Sequence, residues 1–165
     1  MEEAKIKIIE NFLPESIFKN IQSIMLGPEM VWYYQNHTTI NSNQEEDFYF
    51  AHIFFEDKRQ RSELFQTIIH PILGRIDFNY LLRARGRLIT RKVEQVPHEF
   101  HVDSDIKHFV ALFSINSNNG YTLFENGEKS ISKENTLLLF DGSLKHATVP
   151  QTDSRIRVNI NLNFA

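Results

Sequence analysis

RIRVNINLNF, residues 155–164, alternates side-chain type without a break. Successive side chains of a strand point to opposite sides, so Ile156, Val158, Ile160 and Leu162 share one face and Arg155, Arg157, Asn159, Asn161 and Asn163 the other. The apolar face asks for a core. The other face is polar throughout, which suits a strand that lines something wet or binds something charged. Upstream, LLRARGRLITRKV, HFVALFSIN, YTLF and NTLLLF are further strand-length runs, separated by turn chemistry at SNNG, ENGE and FDGS.

The first half of the chain mixes elements. KIKIIENF reads as a short strand. LPESIFKNIQSIML reads as a helix, with Pro14 at its start, Glu15 in its first turn, and Ile17, Phe18, Ile21, Ile24 and Met25 at helical spacing. FYFAHIFF (48–55) is a strand. SELFQTIIHPIL is a helix opened by Ser62 and kinked near its end by Pro71. Helical elements first and many short strands afterwards predict a mainly β protein, a sandwich or barrel with helices packed outside it.

At 165 residues the chain is expected to form one domain, 1–165, with support in 1–80 and the β core in 81–165. Fourteen phenylalanines against six glycines and five prolines argue for an ordered core. A net charge of −3 shows no global basic field, so charge does not by itself point to a nucleic-acid partner. The absence of cysteine excludes disulfides and thiolate metal sites, and leans toward the cytosol. MEEAKIKIIENFL resembles neither a secretory signal nor a membrane anchor, and no apolar run is long enough to span a bilayer. The expectation is a soluble cytoplasmic protein; oligomeric state leaves no trace in the sequence.

Three of the seven histidines fall in HEFHVDSDIKHF, residues 98–109. If His101-Val102-Asp103 is extended, imidazole and carboxylate share a face and can meet one ion. A third ligand, His146 in FDGSLKHATVP, follows an apolar run that must return through the core. Two neutral imidazoles and a carboxylate leave positions open on an ion such as Fe(II). HxD alone is common and equally fits a surface pair beside an ordinary loop histidine. Arg155, nine residues after His146, adds a guanidinium suited to a bidentate grip on a carboxylate.

With these residues the sequence resembles the Fe(II)/2-oxoglutarate-dependent dioxygenases, in particular their prolyl-4-hydroxylase-like branch, in which small phage and marine-bacterial members look most similar. The resemblance runs through IIENFLPESIF, MVWYY, HVD, HFVALFSINSNNGYTLFENGE, LLLFDGSLKHA and RIRVNINLNF. It implies a double-stranded β-helix (jelly-roll) core and a hydroxylase using Fe(II), 2-oxoglutarate and O2. His101, Asp103 and His146 would be the iron ligands, and Arg155 would hold the distal carboxylate of 2-oxoglutarate. Arg157, two residues on, is the alternative clamp. Relatives often carry a tyrosine on the strand after HxD as a second anchor; Ser114 stands there instead. The branch points to a prolyl or other peptidyl substrate, with a small molecule or a modified nucleobase also open. Rival classes are a jelly-roll protein that binds a metal or ligand without turnover, and a metal-dependent hydrolase or isomerase with His98 and Glu99 as its nearby acid–base groups.

Other residues admit two readings each. His98 is expected at the rim of the site, and His108 as a structural residue opening the next strand. His52 and His70 are expected to be partly buried. Arg83, Arg85 and Arg87 alternate along their strand and form either a solvated face or a basic wall that meets an acidic substrate. Trp32, Tyr34 and Tyr121 belong to a substrate groove or to the core. HTTINSNQEED (37–47) is a candidate lid.

Overall fold

The alternating runs pair into two antiparallel sheets. In the computed structural model, which describes residues 6–36 and 48–165, the large sheet contains β1 (Lys7–Ile9), β2 (Tyr33–Gln35), β3 (Tyr49–Glu56), β4 (Arg59–Gln60), β5 (Leu81–Thr90), β6 (Phe109–Ser114), β9 (Thr136–Asp141) and β11 (Ile156–Phe164). Its order is β1-β9-β6-β11-β5-β3-β2, with β4 hairpinned onto β3. The small sheet has the order β10-β7-β8, from His146–Val149, Tyr121–Phe124 and Lys129–Ile131. Strands from both sides of residue 80 share the large sheet: β1 pairs with β9, and β3 with β5.

One face of the large sheet carries the core. Val158, Ile160, Leu162 and Phe164 of β11, with Ala111 and Phe113 of β6, pack against helix α1 (Glu15–Met25), which contributes Phe18, Ile21 and Met25. The Phe18 and Phe113 rings meet edge to face at 6.0 Å. Asn135 ties the chain ahead of α1 to the sheet: its Oδ1 accepts Leu13 N–H and its Nδ2 donates to Leu13 O, both at 2.9 Å. The opposite face of β11 looks toward the small sheet. There Phe124 and Phe140 pack at 5.0 Å within a cluster that includes Val110 and Leu138. Two facing sheets with helices on one outer side form the jelly-roll core expected from the sequence.

The segment 62–73 differs from the single kinked helix expected. Ser62 does not cap a helix: its Oγ accepts Leu64 N–H at 3.2 Å within the turn ahead of the helical residues, whose first flanking residue is Leu64. Phe65–Ile69 then forms a π-helical turn, which passes into the one-turn helix α2 (His70–Leu73). Pro71 explains the change: it has no N–H to donate, and its ring crowds the carbonyl one turn back, so the backbone widens ahead of it. The candidate lid, 37–47, lies outside the described residues. No described helix is long and apolar enough to cross a membrane.

Candidate metal centre

His146 opens β10, and His101 is held beside it by two reciprocal backbone hydrogen bonds, each of 3.0 Å. The expected strand through His101-Val102-Asp103 is therefore reduced to a single bridge at His101, and Asp103 sits in the bend that follows. The convergence survives that change. Asp103 Oδ1 lies 3.6 Å from His101 Nε2 and 3.9 Å from His146 Nε2. One ligand atom from each residue falls within 4.8 Å of the others.

The chain fixes which atoms face the centre. His101 Nδ1 is 3.0 Å from Glu99 O, and His146 Nδ1 is 3.1 Å from Leu144 O. A carbonyl only accepts, so both Nδ1 atoms carry the proton and both Nε2 lone pairs turn inward. Asn161 and Asn163 donate to Asp103 Oδ2 at 3.0 and 2.9 Å, leaving Oδ1 for the centre. Burial pushes the Asp103 carboxyl up, but the neighbouring His101 and His146 rings, the Arg83 guanidinium and the Asn163 amide outweigh it. The carboxyl is held well below the usual carboxylate range. Burial pushes His146 below its usual value, against the pull of Asp103. An ionised carboxylate and a ring that resists protonation are the forms a metal requires. With bonds of about 2.0–2.2 Å, an ion bridges ligand atoms up to about 4.4 Å apart. Two of the separations fit directly, at 3.6 and 3.9 Å, and the third lies within 4.8 Å. The residues fit a divalent ion.

The polar face of β11 forms the wall beside this centre, but Arg155 departs from it. Arg155 is exposed on the bend before β11, where its carbonyl accepts Arg91 N–H. The alternation places it beside Arg157, but the strand begins only at Ile156. Arg157 is buried, with 2% of its surface exposed. Its Nη1 donates to Tyr121 O and Val149 O, both at 3.1 Å, and its Nη2 lies 3.5 Å from Thr122 Oγ1. No carboxylate pairs with it among the described residues. Burial and the nearby charge of Arg87 push its pKa down to about 9. Gly120 makes room for this side chain, since a Cβ there would stand 3.2 Å from Arg157 Cδ. Ser114 is buried and pairs in register with Asn159, on the same interior face.

Arg83, Arg85 and Arg87 of β5 lie opposite Asn163, Asn161 and Asn159 of β11 and face the same interior. They are not a solvated strand face. Arg83 Nη2 lies 3.7 Å from Asp103 Oδ1, and Arg85 is ion-paired with Glu56.

The remaining candidates lie elsewhere. His98, expected at the rim, is buried, and its N–H donates to Thr148 O. His108 is buried just before β6, with Nδ1 2.6 Å from Ile106 O. His52 bridges Val31 O and Ser62 Oγ at 2.8 Å each. His70 is exposed, contrary to expectation, because its position on the π-to-α junction faces away from Ile68 and Ile69. Trp32 packs on the main core, whereas Tyr34 is exposed against Phe48 and Phe50. The contacts of Thr122 with Arg157 and of Tyr49 with Arg87 carried no sequence signal, because each depends on a partner distant in the chain.

No family model matches the sequence, and no curated protein matches it. Solved structures do share its fold, which is that of the 2-oxoglutarate/Fe(II) oxygenases. A prolyl hydroxylase from Trichoplax adhaerens, in complex with a hypoxia inducible factor oxygen degradation domain peptide fragment, aligns at TM-score 0.68 and 16% identity, over 96% of this chain and 82% of its own. An oxidoreductase of the 2OG-Fe(II) oxygenase family from Burkholderia pseudomallei aligns at 0.67 and 7% identity, over 97% and 84%. The viral collagen prolyl hydroxylase of Paramecium Bursaria Chlorella virus-1, in its 2OG complex, aligns at 0.56 and 12% identity, over 96% and 93%. At these identities the likeness is one of fold.

Proposed function

We propose that the chain is an Fe(II)- and 2-oxoglutarate-dependent dioxygenase that hydroxylates a C–H bond. One observation carries the reading: two imidazole Nε2 atoms and Asp103 Oδ1 converge in the same interior as a buried arginine, Arg157, that has no carboxylate partner among the described residues. His101, Asp103 and His146 would hold the iron. When bound, iron with 2-oxoglutarate and O2 supplies the oxidising chemistry, with succinate and carbon dioxide as co-products.

The chain's own residues supply position and charge. Arg157, rather than Arg155, holds the distal carboxylate of 2-oxoglutarate. Its guanidinium is buried and anchored to carbonyls of the small sheet, and a buried charge of this kind is stabilised when an anion pairs with it. Ser114, on the same face, is placed to support that carboxylate as the second anchor. Asn161 and Asn163 keep Asp103 oriented and ionised. Val110, Phe124, Leu138 and Phe140 close the interior around His146 and keep water from it. The peptide-bound prolyl hydroxylase among the structures of like fold supports a peptidyl substrate; a small molecule is the alternative.

The test is succinate formation from 2-oxoglutarate under air, dependent on Fe(II). Arg157→Ala is expected to raise the 2-oxoglutarate requirement at least about tenfold, the scale of one lost charge-assisted pair, with iron binding retained. Arg155→Ala is expected to change it less than about twofold. The reverse outcome moves the clamp to Arg155, and absence of succinate under every condition removes the oxygenase reading.

A further inference from the structure

The interior holds more positive charge than iron and 2-oxoglutarate account for. Of the three β5 arginines, Arg85 has Glu56 and Arg83 has Asp103. Arg87 has no carboxylate within ion-pair distance among the described residues, and its buried Nε has no hydrogen-bond partner. Its guanidinium lies over the Tyr49 ring, 4.6 Å from the centroid. Stacking of that kind holds the group flat and leaves its N–H edge free. Opposite Arg87 in register stands Asn159, whose Oδ1 is buried without a hydrogen-bond partner among the described residues; Asn161 Oδ1 and Asn163 Oδ1 share that condition. Unpaired donors and acceptors buried side by side cost free energy that a ligand with matching groups recovers. An ion at Asp103 would add to the excess, because Asp103 Oδ1 would then serve both the ion and Arg83.

We infer that the substrate carries a carboxylate, gripped by Arg87 beside the metal centre, with amide or ammonium hydrogens offered to the asparagine oxygens. An acidic amino acid, free or within a peptide, has both groups. A single planar fork matches a carboxylate, whereas a phosphate is met by several converging cations, and the two neighbouring arginines already have acids. This rests on the oxygenase reading and names its substrate class.

The experiment uses the full chain loaded with Fe(II) without oxygen. 2-Oxoglutarate is titrated first by calorimetry. With it saturating, the probes are glutamate, N-acetyl-glutamyl amide and an acidic tripeptide, each against its glutamine counterpart, and then phosphoserine. Acidic probes are expected to bind at least about tenfold tighter than their amides, whichever of the free or peptide forms is preferred. Arg87→Gln is expected to remove that difference and Arg87→Lys to restore part of it. If Arg87→Gln does not fold, the wild-type preference must shrink with added salt. The inference falls if acids and amides bind alike, if no acid binds, or if the preference survives Arg87→Gln or resists salt. It also falls if phosphoserine binds tighter than glutamate, or if Arg87→Gln weakens 2-oxoglutarate as strongly as the acids. Failure of 2-oxoglutarate itself to bind removes the oxygenase reading, whereas loss of acid preference with 2-oxoglutarate still bound removes only this inference.

Discussion

Asp103 meets every class of group in the interior: two imidazoles at Oδ1, two asparagine amides at Oδ2 and the Arg83 guanidinium. Removing its charge while keeping its shape is therefore a clean test of the metal centre. Asp103→Asn is expected to lower Fe(II) affinity at least about tenfold, the lower end of the cost of altering a metal's surroundings, with the fold kept; a metal titration reads it. Unchanged affinity would place the ion elsewhere. Gly142 tests packing alone, since a Cβ there would fall 2.3 Å from Nε2 of the buried His108 ring, which would have to shift. Gly142→Ala is expected to destabilise the protein by about 1–3 kcal/mol in denaturant unfolding.

At the scale of elements, β11 joins the two halves of the molecule. Its even-numbered residues form the core under α1, and its odd-numbered residues from 157 onward line the site. Ile160→Ala removes a fully buried side chain from the first face and is expected to cost about 2–4 kcal/mol of stability. Because β11 is central, with β5 on one side and β6 on the other, the register that sets the core also sets the site. A variant destabilised there is expected to keep its metal affinity for as long as it stays folded. Loss of metal affinity in the folded state would show the two faces to be coupled. Arg155 shows where the element ends: the alternation continues through it in the sequence, but the backbone turns away one residue later than the pattern suggests.

Across the whole molecule, the buried cations of the interior hold the ligand-free fold at a cost, and an anion that pairs with them removes part of it. 2-Oxoglutarate with a redox-inert divalent ion is expected to stabilise the protein by about 2.7 kcal/mol at a hundred times its dissociation constant. The stabilisation should vanish with chelator and shrink in Arg157→Ala; equal stabilisation of wild type and variant in thermal unfolding would contradict the clamp. The sheet periodicities, helix α1 and a mainly β architecture were legible in the sequence, because each rests on local spacing; the jelly-roll core and the grouping of His101, Asp103 and His146 were expectations of the family resemblance, since HxD by itself is common. Which arginine enters the interior was not legible. Arg155 and Arg157 are identical in chemistry and in pattern, and only the start of β11, fixed by its pairing with β5 and by the turn through 150–155, buries one and exposes the other. The same holds for the β5 arginines. Alternation gives them a common face, and only the small sheet packed opposite makes that face an interior, where Arg83 and Arg85 meet carboxylates and Arg87 meets none among the described residues.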